Sequence, residues 1–289
     1  TRRDQSRSRH NRAGNPPTKR LETVQTNRTT SNSTNFRRGK LTTNPSEAAL
    51  AEKIEKLGDE FGRLFADVQN DLFTLRLHWR VYKALFATNS ERVDLLNSVS
   101  GTTAWLLERT LFETAVMSVC RLTDPPASIR GKQKNITIQR FPSLAEERLG
   151  LEGVEGLVGI VNTAVDASEF ARSWRNKRLA HSDEAVRRGQ QAVLDASVEK
   201  MDYAIDAVAS VIHWVGVELM DVEIITHPIS SYGSDEVVLL EALFLGQKER
   251  KRRRERAQNM AREGLFEDAE RLLAGLPNWL TYREPDKLE

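Results

Sequence analysis

Residues 54–86 read IEKLGDEFGRLFADVQNDLFTLRLHWRVYKALF. Large apolar side chains recur at Ile54, Leu57, Phe61, Leu64, Val68, Leu72, Leu75, Trp79, Tyr82 and Phe86, at spacings of three or four. That rhythm matches 3.6 residues per turn and lays one apolar stripe along a helix for many turns. Just upstream, Pro45-Ser46-Glu47 supplies a start signal, with Ser46 as the expected N-cap and Glu47 as an acidic first-turn residue facing the positive end of the dipole.

Further helices follow towards the C-terminus. A second opens near Asn89-Ser90-Glu91, carries Val93, Leu96, Val99, Thr103, Leu106, Leu107, Thr110, Leu111 and Met117, and stops at Asp124-Pro125-Pro126. Residues 125–142 form a polar loop. A short helix from Ser143 ends at Gly150, and the next runs from about Glu155 through Leu157, Val158, Val161, Val165, Phe170 and Trp174 towards Ala180. Another starts near Asp195 or Ser197, with Val198, Met201, Ile205, Val208, Ile212, Val215 and Leu219 on one face. After a break at Thr226–Ser234, which holds Pro228 and Gly233, a final helical extension carries the basic run Lys248–Arg256 and ends at Leu276-Pro277. No run alternates with period two over enough length to propose a sheet; Asn135–Gln139 alternates but is short and alone. The expected fold class is therefore all-α, a bundle of four-helix type with a C-terminal arm.

The ends differ in composition from this middle. Residues 1–45 hold Arg, Ser, Thr and Asn, with Leu21, Val24, Phe36 and Leu41 isolated and without period. Such a segment cannot bury enough apolar surface to offset its ordering entropy, so it reads as a disordered basic tail. Residues 1–50 carry eleven Lys/Arg against three Asp/Glu, a net of +8 within a chain whose total is only +2. A tail of that charge suits RNA or another polyanion through counterion release, or is equally a solvated tail with no ligand. Three segments are expected: the tail 1–45, the bundle 46–232 and the extension 233–289. The single cysteine, Cys120, excludes an internal disulfide framework, fits a reducing, cytoplasmic compartment, and lies in an apolar run as a small buried hydrophobe. The most apolar window, Tyr203–Met220, is interrupted by Asp206, His213 and Glu218, so no membrane span is expected. The five histidines are scattered and no His/Cys/carboxylate cluster has zinc spacing, which predicts neither a metal site nor a cofactor.

One stretch is chemically loaded: Phe170-Ala171-Arg172-Ser173-Trp174-Arg175-Asn176-Lys177-Arg178-Leu179-Ala180-His181-Ser182-Asp183. Four cations in seven residues sit at a helix end, where they offset the negative pole of the dipole. Arg175 and His181 are six apart, so on one straight helix they would point about 120° from each other. They converge only if the helix ends between them or if each meets its counterpart from a second subunit. Two readings of these residues stand. Arg175 and Lys177 compensate a helix dipole while His181 bonds Asp183 or a backbone carbonyl, or the same groups form a site. His78 and His213, each beside a tryptophan, read as packed histidines. The run Lys248–Arg256 is a solvated helix face, unless it shares a surface with Arg175 and extends a basic track.

Arg175-Asn176 followed at the fifth position by His181 resembles the Arg-polar-spacer-His motif of HEPN domains. The words Trp174–Asp183 and Arg121-Leu122-Thr123-Asp124-Pro125 look like the AbiU-type abortive-infection branch of those domains. The resemblance spans roughly residues 50–235. It implies a HEPN-like bundle of four to five helices acting as a metal-independent endoribonuclease, a toxin or phage-defence effector. It also implies a homodimer in which both motifs face one cleft, with Arg175, Asn176 and His181 catalytic and a cognate antitoxin as a further partner. The residue types suit that chemistry. An imidazole titrating near neutrality exchanges a proton with the RNA 2′-OH or the leaving oxygen. A guanidinium binds phosphate and stabilises charge as it develops. Asn176 orients either group, and Arg172, Lys177 and Arg178 are candidates for RNA binding. DNA lacks the attacking hydroxyl, so the route favours RNA. The alternative is a HEPN-type module that binds RNA or a protein without cleaving.

Overall fold

The apolar stripe of residues 54–86 folds as two helices, not one. In this computed structural model, which describes residues 45–127, 133–179, 194–227, 235–275, 277 and 280, α1 (Pro45–Leu57) and α2 (Asp59–Tyr82) meet at Gly58. Gly58 has φ of 86°, a left-handed conformation that glycine adopts without a Cβ penalty. The helices then pack closely: a Cβ on Gly62 would lie 2.7 Å from the Ile54 Cα. α1 is helical from Pro45, so Ser46 lies inside the helix and is not its N-cap; proline suits the first turn because its missing N–H has no intrahelical partner there. The stripe itself forms the core as its period demands, with Leu57, Phe61, Leu64, Val68, Leu72, Leu75 and Trp79 all buried. α2 continues as one π-helical turn, Lys83–Ala87.

α3 (Ser90–Leu122) starts where the sequence places it, with Asn89 Oδ1 accepting from the Arg92 amide at 3.1 Å. Its buried face differs from the expected one. Leu96, Ala104, Ala115, Val116, Val119, Cys120 and Leu122 are buried, whereas Thr103, Leu106, Leu107 and Thr110 are exposed. The backbone leaves helical geometry at Ser100 (φ −162°, ψ 89°), so a stripe extrapolated across it loses register. α4 (Phe141–Ala167) is interrupted at Gly150 (φ 70°), the residue at which the short helix was expected to end, but helix resumes at once instead of near Glu155. α5 (Glu169–Trp174) leads into a π turn, Arg175–Leu179. α6 (Val198–Val215) is capped by Ser197, whose hydroxyl accepts from the Lys200 amide, and it too ends in a π turn, Gly216–Met220.

α2, the C-terminal part of α3, α4 and α6 enclose the main core, where Phe65, Val116, Phe141, Leu157, Met201, Ile205 and Ile212 are fully buried. Among the described residues Val198–Met220 is one helix long and apolar enough to cross a membrane, and half of its apolar window is buried inside this bundle. His213 is exposed on α6, outside the core, while His78 is half-buried. Among the described residues there is no strand, and Ala127 and Lys134 form one isolated antiparallel bridge. The described residues therefore form an all-α fold.

α7 (Asp235–Arg262) packs Leu240 and Leu243 onto Leu85, Leu96 and Ala104, a smaller apolar cluster along the first half of α3. Arg80 Nε donates to the buried Glu236 carboxylate at 3.0 Å, and Gln247 donates to Ser98. Gly264 (φ 83°) turns the chain into α8 (Phe266–Ala274). The tail 1–44, and with it the expectation of disorder, lies outside the described residues.

Candidate functional site

The two stretches Arg121–Pro125 and Trp174–Asp183 are about 50 residues apart in the chain and meet in space. Arg175 Nη1 lies 2.6 and 2.7 Å from the two carboxylate oxygens of Asp124. Arg172 Nη1 donates to Thr123 Oγ1 at 3.3 Å, and its Nη2 donates to the Val165 carbonyl. The end of α3 and the end of α5 are thus laced together by side chains from both stretches.

Asp124 is held in place by its own neighbours. α3 ends at Leu122 before Pro125-Pro126, leaving its last carbonyls without intrahelical partners. Thr137 Oγ1 donates to the carbonyls of Leu122 and Asp124 at 3.0 and 2.7 Å, and Gln139 Nε2 donates to that of Thr123 at 2.7 Å. Asn135 closes the loop through Pro125 and Pro126. The alternation at Asn135–Gln139 therefore belongs to a capping segment with a 3₁₀ turn at Ile138–Arg140, not to a strand.

Arg175 begins the π turn, so the α-helix ends immediately before it. Such turns are frequent at functional sites, and the straight-helix separation of Arg175 from His181 does not apply across one. His181 lies outside the described residues. Arg175 and Asp124 are largely buried, their side chains 23% and 19% exposed. The hydrogen bond to Asp124 raises the Arg175 pKa further above its already high value, so the guanidinium stays charged. Its Nε donates to Asn176 Oδ1 at 3.3 Å, and Asn176 is otherwise exposed. Beneath the pair, burial pushes the Cys120 thiol up to about 11, which fits an inert packed residue and not a nucleophile.

The candidate cations divide by position. Arg172 is half-buried, and its contacts to Thr123 and Val165 tie the end of α5 to the ends of α3 and α4. Lys177 is half-buried, and Arg178 is exposed with its guanidinium 4.7 Å from the Trp174 ring centroid. The basic run Lys248–Arg256 belongs to α7, which packs on the first half of α3, and Lys248, Lys251 and Arg254 border Ser98 and Val99 there. Glu249 there pairs with Arg252 and Arg253.

Sequence reasoning missed Asp124 as the partner of Arg175, although it stood in a stretch already singled out. It also missed a chain of rings behind the motif. Phe112 packs edge-on against Trp174 at 5.2 Å and against Tyr82 at 5.7 Å, and Tyr82 stacks on Trp79 at 4.8 Å. Trp174 Nε1 donates to the Leu194 carbonyl at 2.7 Å, tying the motif helix to the segment that enters α6. Among the described residues no group of three or more His, Cys, Asp or Glu could hold a metal ion.

A family model described as AbiU2, of the HEPN group, matches residues 58–237. That span takes in both stretches that meet at Arg175. No curated protein and no solved structure matches the chain.

Proposed function

The chain belongs to the AbiU2 family of HEPN domains, of the abortive-infection type, and on that premise we propose that it is a metal-independent endoribonuclease acting through Arg175, Asn176 and His181. The observation that carries the reading is the Arg175–Asp124 pair. It fixes one guanidinium in a π turn at a helix junction, next to a solvent-facing asparagine. In this scheme Asp124 is a positioning residue: it grips Nη1 and sets the plane of the guanidinium. His181 takes the proton of the RNA 2′-OH, whose oxygen attacks the adjacent phosphorus. The bond to the 5′ oxygen breaks, that oxygen receives a proton from a second acid, and a 2′,3′-cyclic phosphate remains. Arg175 stabilises the charge on the phosphoryl oxygens as the transition state forms.

The proposal includes a homodimer, because the second imidazole and guanidinium would come from the partner's motif. Leu106 and Leu107, exposed side by side on α3, supply an apolar face of the kind that a second copy would cover. It also includes a cytoplasmic setting and a cognate antitoxin, both expected of a cell's own RNA-cleaving toxin.

A second reading has an observation in its favour. Both Asp124 oxygens engage the same Arg175 nitrogen, as a structural brace would, and HEPN folds also serve as binding modules. Cleavage of single-stranded RNA in excess chelator separates the two. The expected result is cleavage by the wild type and a loss of roughly 10²-fold or more in Arg175→Ala and in His181→Ala, with helical content by circular dichroism unchanged. Cleavage that survives His181→Ala removes the acid–base role, and wild-type binding without cleavage selects the second reading.

A further inference from the structure

A cavity of about 360 Å³ opens beside the motif helix, between α2, α3 and the Arg175–Leu179 turn. Its volume lies in the range of small-ligand sites. Four aromatic side chains line it, Tyr82, Trp105, Phe112 and Trp174, together with Glu108 and Arg178. Two of these are on the motif itself: Trp174 directly precedes Arg175, and Arg178 covers one face of the Trp174 ring. Trp105 is 54% exposed, an unusual position for the largest apolar side chain, and Arg109 approaches its ring at 5.7 Å.

The polar groups have distinct states. Glu113 is paired with Arg109 at 2.8 Å. Glu108 makes no hydrogen bond among the described residues and borders the cavity beside Tyr82, whose hydroxyl pKa is raised by burial and, to a lesser degree, by the Glu108 charge. A carboxylate at the mouth of an aromatic slot repels phosphate and accepts from paired N–H donors. Arg178 and Arg109 meanwhile offer charge and planar stacking surface for a nucleic-acid strand.

We propose that this cavity binds one unpaired nucleobase of the RNA next to the phosphate engaged by Arg175, and that Glu108 selects guanine. The proposal rests on the ribonuclease or RNA-binding reading above and names its substrate preference. Stacking against Trp105 and Trp174 serves any base, since each has a π face. Selection comes from the edge. Guanine places N1–H and N2–H₂ side by side, so a carboxylate can accept from both; adenine and cytosine each present one exocyclic amine there, and uracil presents a single imide N–H between two carbonyls.

The test uses the full chain and ten-nucleotide 2′-fluoro RNAs, which lack the attacking hydroxyl, made of uridine with one central G, A, C or U. Fluorescence anisotropy should rank G first, with U weakest by on the order of tenfold or more. Trp105→Ala should weaken all four by roughly tenfold, the scale of one lost stacking surface. Glu108→Gln should bring G down to the level of A while leaving the U oligonucleotide unchanged. Binding that ignores the central base in the wild type, or that is insensitive to both substitutions, overturns the proposal. So does a change in molecular mass of Trp105→Ala with unchanged RNA affinity, which assigns that ring to a subunit contact. The two readings fail separately. Base-selective binding without cleavage of the matching all-ribose RNA keeps the slot and removes the nuclease. Cleavage that needs Arg175 but ignores sequence keeps the nuclease and removes the slot.

Discussion

Two arginine–aspartate pairs of similar length join different elements of the bundle among the described residues, and they differ in almost everything else. Arg76 on α2 is 9% exposed; its Nη2 lies 2.9 Å from Asp206, and its Nη1 is 2.9 Å from His227 Nε2. Its Nε is buried without a hydrogen-bond partner, and Asp206 is 64% exposed. This pair straps α2 to α6 across the side of the core, with water on the acid's side. The Arg175–Asp124 pair is shielded at both partners, stands where two helices end, and borders an open aromatic slot through its neighbours Trp174 and Arg178. Burial of a charge therefore marks neither pair as a site. What separates them is the broken backbone around Arg175 and the open, ring-lined space next to it.

The largest effect should come from removing the second arginine. Arg175→Ala is expected to lower RNA cleavage by roughly 10²- to 10³-fold, the scale for losing one transition-state donor. Arg76→Met should leave the rate per folded molecule unchanged. Equal losses from both would erase the distinction. Stability should show the opposite asymmetry. Asp206→Ala strands a buried guanidinium and should cost about 2 kcal/mol in urea denaturation. Arg76→Met leaves an aspartate that water already solvates and should cost about 1 kcal/mol. If the two cost the same, the burial of Arg76 is not what matters.

A third measurement probes the layer under Arg175. The Cys120 thiol sits at about 11 in the folded chain against an ordinary value of 9.0. Its folded pKa is the higher one, so between those values the unfolded state has lost more protons than the native state. The contribution is complete below pH 9 and disappears as pH rises towards 11. Wild type should therefore lose more stability than Cys120→Ala over that interval, and its thiol should resist labelling at pH 8 until the chain unfolds. Equal alkaline slopes would show that water reaches the thiol beneath the pair. The smallest effect belongs to Asn176→Ala. Its contact to Arg175 is long and its side chain exposed, so stability should move by less than about 0.5 kcal/mol and cleavage by less than about tenfold.

The helical class was legible because periodicity is a local signal: every stripe residue from Leu57 to Trp79 is buried where the spacing puts it. The division at Gly58 was not, because apolar spacing continues across a left-handed residue without a visible gap. On α3 the same extrapolation failed at Ser100, where backbone geometry changes and apolar side chains as large as Trp105 and Leu106 stay outside. At the site, Arg175 was visible as part of a spaced motif. Asp124 was visible only as a word, since a contact across 51 residues leaves no trace in the spacing of either partner. The aromatic slot was less visible still, because Tyr82 and Trp105 come from different helices and acquire meaning only when the helices pack.

The order of these elements along the chain has a consequence for biosynthesis. Arg175 is translated before α6, the helix whose Met201, Ile205, Val208 and Ile212 fill the centre of the bundle. A ribosome-bound chain thus exposes the motif while the framework that orients it is still unmade, because a domain condenses around its core as a unit. On the nuclease reading proposed above, that delay would keep a half-synthesised copy harmless beside the messenger encoding it.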